Sequence, residues 1–345
     1  MIKVGIIGCG SIAKQRHSYE YHNNPDVEIM GYFDLNPDRA KALADVYGGK
    51  VYTTVEEMIA DPEIDLVSVC VANAFHAENS IKALKAGKNV ICEKPMANTL
   101  EECLAMLDAQ KESGKRLFVA QNQRLAPAHQ LAKKILDEGE LGKVISAVAM
   151  FGHGGPESWS MDKSANTWFF KKSATNFGSL ADLGVHKIDT IRYLVGEEIV
   201  SASSTMAVLD KKFPDGTPIE VDDNSVTVFR FEGGAMMTVI TSWTNYGEEA
   251  NFTNLLCEHG IIKLYSDPQY ACIVVHENGK VDKYEVGKIQ TNDDVQQESS
   301  GMVDECVGAL IEGRESVLDA GKVFGSMQAV FAAMESSETG KTINV

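Results

Sequence analysis

Short apolar runs alternate with helical patterns over the first 120 residues of the chain. The runs predict strands at 3–7, 27–33, 66–71, 89–92 and 116–120, and the patterns between them predict helices near 11–22, 37–46, 76–86 and 99–112. Strands read as continuous apolar stretches where helices cover both faces of a parallel sheet. The pattern therefore predicts a doubly wound parallel sheet in this part of the chain.

The alternation changes after about residue 125. Single elements are predicted first: a helix near 127–138, a strand near 143–152, a loop-rich stretch and a helix near 180–194. Strand-like segments follow at 199–209, 225–231, 236–243, 252–257 and 261–265, and helices near 296–312 and 319–336 close the chain. Consecutive strands with few helices between them indicate a mostly antiparallel sheet. We expect an α/β protein with a doubly wound domain at 1–122 and an α+β domain at 123–345.

Composition agrees with two domains and excludes several kinds of partner. The 345 residues exceed one ordinary core, and a net charge of −17 argues against a nucleic-acid groove, which needs clustered Lys and Arg. The apolar stretch at residues 4–7 is too short for a signal core, and no stretch approaches ~18 apolar residues, so we expect no membrane partner. The seven cysteines are scattered and form no CxxC pair, which favours a reducing cytoplasm.

A glycine-rich turn follows the first predicted strand. The GxGxxA pattern starts at Gly8 and continues through Gly10, Ser11 and Ile12 into a helix, whose free N–H groups suit a pyrophosphate. The second predicted strand ends at Asp34, where an acid bonds the adenosine ribose hydroxyls and repels a phosphate. These residues predict a Rossmann domain that binds NAD rather than NADP. FAD uses a related fingerprint, but the two-domain length and the next motif fit a nicotinamide cofactor better.

Glu93, Lys94 and Pro95 follow the predicted strand 89–92. They lie at the carboxyl edge of the sheet, where doubly wound folds bind ligands. Pro95 cannot continue a central strand and restricts Lys94 to extended conformations, so we expect this lysine near the nicotinamide end of the cofactor. A solvated lysine at a strand end is the alternative.

Asp182 and His186 are four residues apart at the start of a predicted helix, so their side chains share one helical face. A carboxylate beside an imidazole can orient the ring and stabilise the imidazolium that forms when it takes a proton from an alcohol. A surface hydrogen bond is the alternative. The eight histidines lack HExxH or comparable spacing and GxSxG is absent, so we expect no metal and no serine hydrolysis.

Four motifs occur in order with plausible spacing: the GCGSIA turn, Asn73 with His76, Glu93-Lys94-Pro95, and the DLGVH sequence that starts at Asp182. Together they resemble the Gfo/Idh/MocA oxidoreductases, a family that includes glucose–fructose oxidoreductase and inositol dehydrogenase. The resemblance implies a Rossmann domain at 1–122 and, at 123–345, a substrate-binding domain whose large open sheet serves contacts in a homodimer or homotetramer.

The resemblance also implies roles for individual residues. Lys94 corresponds to the lysine that contacts both substrate hydroxyl and cofactor, and His186 to the general base beside Asp182. Asn73 matches a residue lining the cofactor pocket, while His76 fits a structural role at a helix start at least as well. Glu93 shapes the turn next to the cofactor. Many relatives have consecutive glycines where this chain has residues 176–179, so substrate identity is open.

Other residues are candidates for the same pocket. Gln121, Gln123 and Arg124 follow the last strand of the first domain, and we expect them to reach the nicotinamide or substrate hydroxyls. Trp168 lies in the loop-rich stretch before the catalytic helix, where it either stacks on a sugar ring or belongs to the core. His153 is polar and lies in a loop, and the sequence names no partner for it.

The leading hypothesis is an NAD-dependent dehydrogenase acting on a secondary hydroxyl of a sugar, sugar derivative or cyclitol. Two alternatives stay open. A redox-neutral, NAD-dependent glycosidase would use the same residues and recycle the hydride, so NADH would not accumulate. A non-catalytic, NAD-responsive binding protein would have no need for a lysine, an acid and a histidine together.

Overall fold

The computed structural model describes residues 1–161, 163–289 and 299–345. Its chain divides into two compact units. The first contains Met1–Asn122 and a later stretch that ends at Phe324, and the second contains residues 123 to 291 and Gly325–Val345. The later stretch of the first unit lies within residues 123–345, which were assigned from the sequence to the second domain. That residues 1–122 bind the cofactor and residues 123–345 bind the substrate stays a prediction.

The first unit contains a six-stranded parallel sheet among the described residues. Its strands are β1 (Ile2–Ile7), β2 (Val27–Phe33), β3 (Lys50–Val51), β4 (Leu66–Val69), β5 (Asn89–Cys92) and β6 (Leu117–Val119). The order β3-β2-β1-β4-β5-β6 reverses direction at β1, which is the doubly wound arrangement. The predicted parallel sheet is therefore confirmed. The strand β3 is not among the predicted strands, because two residues are too few to show an apolar pattern.

Four of the five α-helices between residues 1 and 122 lie at predicted positions. The five are α1 (Ser18–Asn23), α2 (Pro37–Tyr47), α3 (Val55–Ala60), α4 (His76–Lys85) and α5 (Leu100–Ser113), of which α3 was not foreseen. The first predicted helix, near 11–22, differs from expectation because its opening turn, Ala13–His17, is a π-helix. Local capping accounts for two of the starts: Asn36 accepts a hydrogen bond from the Asp38 N–H, and Thr99 forms a capping box with Glu102.

The second unit is built on a nine-stranded sheet among the described residues, in the order β14-β13-β12-β11-β7-β10-β9-β8-β15. Its strands are β7 (Val144–Gly152), β8 (Ile199–Ala207), β9 (Asn224–Phe231), β10 (Met236–Ser242), β11 (Ala250–Cys257), β12 (Gly260–Leu264), β13 (Cys272–His276), β14 (Val281–Tyr284) and β15 (Ile343–Asn344). The pair β7–β10 is parallel and the other pairs are antiparallel. The mostly antiparallel sheet is confirmed, with β13 to β15 not foreseen.

Further helices complete the two units: α6 (Pro127–Glu138), α7 (Lys172–Thr175), α8 (Val185–Val195), α9 (Met302–Glu312) and α10 (Ala320–Thr339). The predicted start of α9 near 296 lies outside the described residues. Burial alternates along the central strands of the second sheet: Ala147, Ala149 and Phe151 are buried on one face, whereas Val148 is 40% exposed on the other. One face therefore carries the core and the other is open.

Candidate active site

Gly8 forms the tight turn after β1. Its φ is +90°, a conformation that L side chains rarely adopt, and an added Cβ would lie 2.6 Å from the carbonyl oxygen of Cys70. At Gly10, in contrast, an added Cβ would meet nothing within 4 Å in the described structure. The requirement at Gly10 therefore does not come from crowding by the protein. It fits the close approach of a dinucleotide, beside the partly exposed Ser11 and Ile12.

Asp34 is held in place at the end of β2. Its carboxylate accepts hydrogen bonds from the backbone N–H of Cys9 at 2.7 Å and of Asn36 at 2.8 Å. The first of these bonds joins it directly to the glycine turn. The carboxylate is thus fixed beside the predicted phosphate site, where it can accept hydrogen bonds from the two hydroxyls of the adenosine ribose.

His76 connects two loops at the carboxyl edge of the first sheet. Its Nδ1 lies 2.7 Å from the Pro95 carbonyl oxygen and its Nε2 lies 3.1 Å from that of Val71. Burial lowers the pKa of His76, and a neutral ring in this position donates its one N–H to one of these two carbonyl oxygens. This geometry supports a structural role for His76, next to Asn73 in the short helix Asn73–Phe75.

Glu93 turns inward, where it forms a buried ion pair. Its Oε1 lies 2.8 Å from His17 Nε2, and His17 Nδ1 lies 2.8 Å from the Ser68 hydroxyl. Burial opposes the charge on both partners. The pKa of His17 is still raised, by Cys70 and by Glu93, and the pairing with His17 lowers the pKa of Glu93. The other carboxylate oxygen accepts the Lys94 N–H at 3.1 Å. Glu93 thereby fixes the turn that carries Lys94, whose side chain is partly exposed.

Gln121 follows β6 and is fully buried. Neither its amide oxygen nor its amide nitrogen has a hydrogen-bond partner within the described part of the chain. Buried amides are normally satisfied, so an orphaned pair of donor and acceptor indicates a missing polar partner. A carboxamide such as that of nicotinamide would supply both bonds. The residues of the first unit therefore fit NAD.

Asp182 and His186 lie at the start of α8 in the second unit, and only 6% and 7% of their respective surfaces is exposed. The predicted α-helix near 180–194 is a π-helix over Leu180–Gly184 and becomes α-helical at Val185. Such π turns occur frequently at functional sites. Gly184 permits this path because an added Cβ would lie 3.1 Å from Thr241 Cγ2.

Trp243, at the end of β10, is a site residue that the sequence did not reveal. It is fully buried, and its Nε1–H donates a hydrogen bond to Asp182 Oδ2 at 3.2 Å. The bond orients the carboxylate. The sequence shows a tryptophan at the end of a predicted strand. It does not show that β10 lies beside the π-helix Leu180–Gly184, on which the bond to Asp182 depends.

Asp222 anchors the start of the segment that carries Asp182 and His186. Its carboxylate accepts the N–H groups of Gly178 at 2.7 Å and Leu180 at 2.9 Å, and the Ser179 hydroxyl at 2.7 Å. Burial raises the pKa of Asp222, and these hydrogen bonds oppose the rise. An added Cβ on Gly178 would collide with the Asp222 carbonyl oxygen at 1.9 Å. The Asp222 carboxylate thus fixes the backbone of residues 178–180.

Arg124 lies in the second unit, where Asp189 of α8 binds it with two short contacts of 2.7 and 2.6 Å. Both side chains are almost fully buried. Ser326 donates a further hydrogen bond to Asp189 at 2.8 Å. This bidentate pair makes Arg124 a support for α8, and its predicted substrate contact stays a prediction. Gln123 is buried beside it and its backbone carbonyl lies 2.6 Å from His129 Nδ1.

Lys187, next to His186, is fully buried and was not foreseen. Its Nζ lies 3.4 Å from Thr253 Oγ1 and 5.7 Å from the centre of the Phe151 ring. Burial lowers its pKa to about 7, although the charge of Glu249 opposes the change. Burial and the Lys187 charge also lower the pKa of His129 to about 3. Lys187 on α8 and His129 on α6 are therefore two buried bases whose pKa values lie well below their ordinary values.

The predicted site residues divide between the units. The first unit holds the predicted cofactor set of Gly8, Gly10, Ser11, Ile12, Asp34, Asn73, His76, Glu93, Lys94 and Gln121, and the second holds Arg124, Trp168, Asp182 and His186. Trp168 is partly exposed and stacks on Phe169. The described residues contain no group of three or more His, Cys, Asp or Glu that could hold a metal ion. None of the described helices has the length and apolarity needed to cross a membrane.

Two family models match the chain. An oxidoreductase family model with an NAD-binding Rossmann fold matches residues 2–121, and a GFO/IDH/MocA C-terminal domain model matches residues 129–263. The chain is 34% identical to levoglucosan dehydrogenase of Pseudarthrobacter phenanthrenivorans, over 73% of this chain and 70% of that protein. It is 30% identical to inositol 2-dehydrogenase of Rhizobium meliloti, over 70% of this chain and 68% of that protein.

Solved structures give the same result. A levoglucosan dehydrogenase in complex with NADH and levoglucosan is 25% identical, with a TM-score of 0.86 over 100% of this chain and 99% of that one. The cofactor fingerprint, the orphaned Gln121 amide and the acid–histidine pair thus occur in a fold shared with NADH-bound enzymes. The chain belongs to the Gfo/Idh/MocA family and is an NAD-dependent oxidoreductase.

Proposed function

We propose that this protein is a dehydrogenase that oxidises a secondary hydroxyl of a sugar, sugar derivative or cyclitol with NAD. The observation that carries the proposal is the buried acid–histidine pair at the start of α8, oriented by Trp243 and anchored by Asp222. The relatives that act on sugars and inositol support the substrate class.

The proposed reaction removes a proton from the substrate hydroxyl and a hydride from the carbon that bears it. His186 accepts the hydroxyl proton as general base, and Asp182 stabilises the imidazolium that forms. Lys94, held by the Glu93 turn, stabilises negative charge on the substrate oxygen. NAD, when bound, supplies the hydride acceptor. The carbinol carbon thus becomes a ketone while NADH and a proton are released.

A panel of sugars, anhydrosugars and cyclitols with NAD or NADP, followed by absorbance of the reduced cofactor, tests the proposal. We expect at least one member to give stoichiometric NADH, with NAD preferred because Asp34 repels a 2′-phosphate. Turnover of a glycoside without NADH accumulation would instead establish the redox-neutral alternative. A partner bound only with NAD, together with no turnover of the panel, would favour a binding protein.

We also propose that the protein forms a homo-oligomer through the open face of the second sheet. Val148 of β7 and Val228 of β9 both pair with Thr238 of β10, so they lie on one face, in the two strands that flank β10. Val226 is 50% exposed on the same face, and Val228 is 42% exposed. A continuous apolar area on a sheet face fits a second copy of the same chain.

We infer a reducing compartment such as the cytoplasm. The seven cysteines are all buried thiols in the structure, which supports this setting. Titration of denatured protein prepared without reductant should give seven thiols per chain. A reproducible loss of two thiols would contradict the inference.

A further inference from the structure

A row of aromatic rings leads away from His186 within the second unit. The row, called the aromatic row below, consists of Phe151, His153, Trp159, Phe169 and Trp168. The Phe151 ring centre lies 6.1 Å from that of His186 and 6.0 Å from that of His153. The next centres follow at 6.2, 5.1 and 3.8 Å. Every ring therefore contacts the next.

The outer rings of the row are accessible. Phe151 at the inner end is buried, whereas Trp159, Trp168 and Phe169 are partly exposed and the adjacent Phe170 is buried. Phe169 packs against the core, but three large rings in one loop-rich stretch stay partly uncovered, which forgoes hydrophobic free energy that complete burial would recover. Their partial exposure, in a row that starts at His186, supports a ligand surface.

Trp159 carries a second indication of a ligand. Its Nε1–H is buried and has no acceptor among the described residues. An indole N–H in that position normally finds an acceptor. A ring or bridging oxygen of a bound sugar would supply one.

The loop that carries Trp159 is fixed in position. The buried Lys211 donates hydrogen bonds to the Gly154 carbonyl at 2.6 Å and to the Glu157 carboxylate. Gly155 adopts a φ of +103°, and an added Cβ there would lie 2.9 Å from Lys211 Nζ. The aromatic row is thus preorganised. Because Glu157 balances the charge of Lys211, that ammonium is not available as a phosphate anchor.

We propose that the aromatic row is a subsite for an uncharged substituent next to the reacting sugar ring, so that the preferred substrate is a glycoside. The inference rests on the proposed function and names its substrate class. The C–H faces of a sugar or aryl ring pack on aromatic rings, and the row extends beyond the ring that His186 would contact. A free monosaccharide leaves the outer rings uncovered, and a sugar phosphate needs a compensating cation.

Calorimetric binding in the presence of NADH tests this subsite separately from turnover. Phenyl β-glucoside, glucose and glucose 6-phosphate are compared in the wild type and in Trp159→Ala, Trp168→Ala and Trp159→Phe. We expect the wild type to bind the phenyl glucoside at least about 10-fold more tightly than glucose, the ratio that one ring contact gives. In each alanine variant the ratio of the affinity for phenyl glucoside to that for glucose should fall most of the way towards one. In Trp159→Phe the ratio should fall less.

Tyr284→Ala, on the edge strand β14, is the matched control and should leave the ratio unchanged. Equal affinity of the wild type for glucoside and glucose would overturn the subsite, as would tighter binding of the phosphate. A parallel loss of affinity for both neutral ligands in the alanine variants would also overturn it. If the glucoside binds as expected but gives no NADH, the proposed function fails while the subsite stands.

Discussion

At the scale of a single residue, burial of the Lys187 amine destabilises the folded protein whenever the amine is charged. In the folded protein burial lowers its pKa to about 7 from an ordinary 10.5. Between these values the unfolded chain binds the proton more tightly, so the contribution of Lys187 to stability falls as pH falls from 10.5 to 7. Below pH 7 the penalty is complete and constant.

We therefore predict that Lys187→Met stabilises the second unit at pH 7 and that the gain shrinks towards pH 10. The expected gain at pH 7 is on the order of 3 kcal/mol, because a fully buried amine, which donates to the Thr253 hydroxyl at 3.4 Å, is replaced by an apolar chain of similar length. Urea unfolding followed by tryptophan fluorescence measures it, since all three tryptophans lie in this unit. The control Lys134→Met replaces an exposed lysine of α6 in the same unit. A gain that is equal at both pH values would contradict the assignment.

Single residues also mark where sequence reasoning ends. Two motifs could be recognised because their residues are close together in the sequence: Asp182 with His186, and the turn that carries Lys94. Lys187 could not, because the sequence does not show which helical face β11 covers. Trp243 could not either, since its bond to Asp182 crosses 61 residues.

At the scale of elements, the catalytic segment depends on an acceptor from another part of the chain. Asp222 satisfies the N–H groups of Gly178 and Leu180 at the start of the π segment. Helix starts lack internal acceptors for these groups, and buried unsatisfied donors are costly. The position of Asp182 and His186 therefore depends on this carboxylate.

We predict that Asp222→Ala lowers kcat at least about 10-fold and destabilises the second unit by about 2 kcal/mol, because two N–H groups lose their acceptor. Steady-state NADH formation and urea unfolding measure the two effects. Asp215→Ala, an exposed carboxylate in the hairpin after β8, is the matched control. Unchanged kcat in Asp222→Ala would show that the segment holds its position without this anchor.

The elements differ in how far sequence predicts them. Long apolar runs gave the strands of the parallel sheet because burial on both faces leaves a continuous pattern. Strands β14 and β15 are short edge elements and β13 is a five-residue strand beside one of them. The π turns at 13–17 and 180–184 leave no distinct mark in the helical periodicity.

At the scale of the whole molecule, the open sheet face predicts self-association. Val228→Glu places a charge in the apolar patch, and a symmetric contact would bring such charges near each other. We expect the sedimentation velocity mass to fall towards one chain at micromolar concentration. The control Ile311→Glu changes an apolar residue of α9 that is 52% exposed. A monomeric wild type, or an unaltered oligomer in Val228→Glu, would contradict the proposed interface.

The central claim is that His186 handles the proton of a sugar hydroxyl whose hydride passes to NAD. The most direct measurement is the single-turnover rate of NADH formation in His186→Ala, with the best substrate of the panel and saturating NAD. The account predicts a rate at least about 100-fold below wild type, as expected from loss of a general base, with NAD affinity unchanged. A rate close to wild type would contradict it.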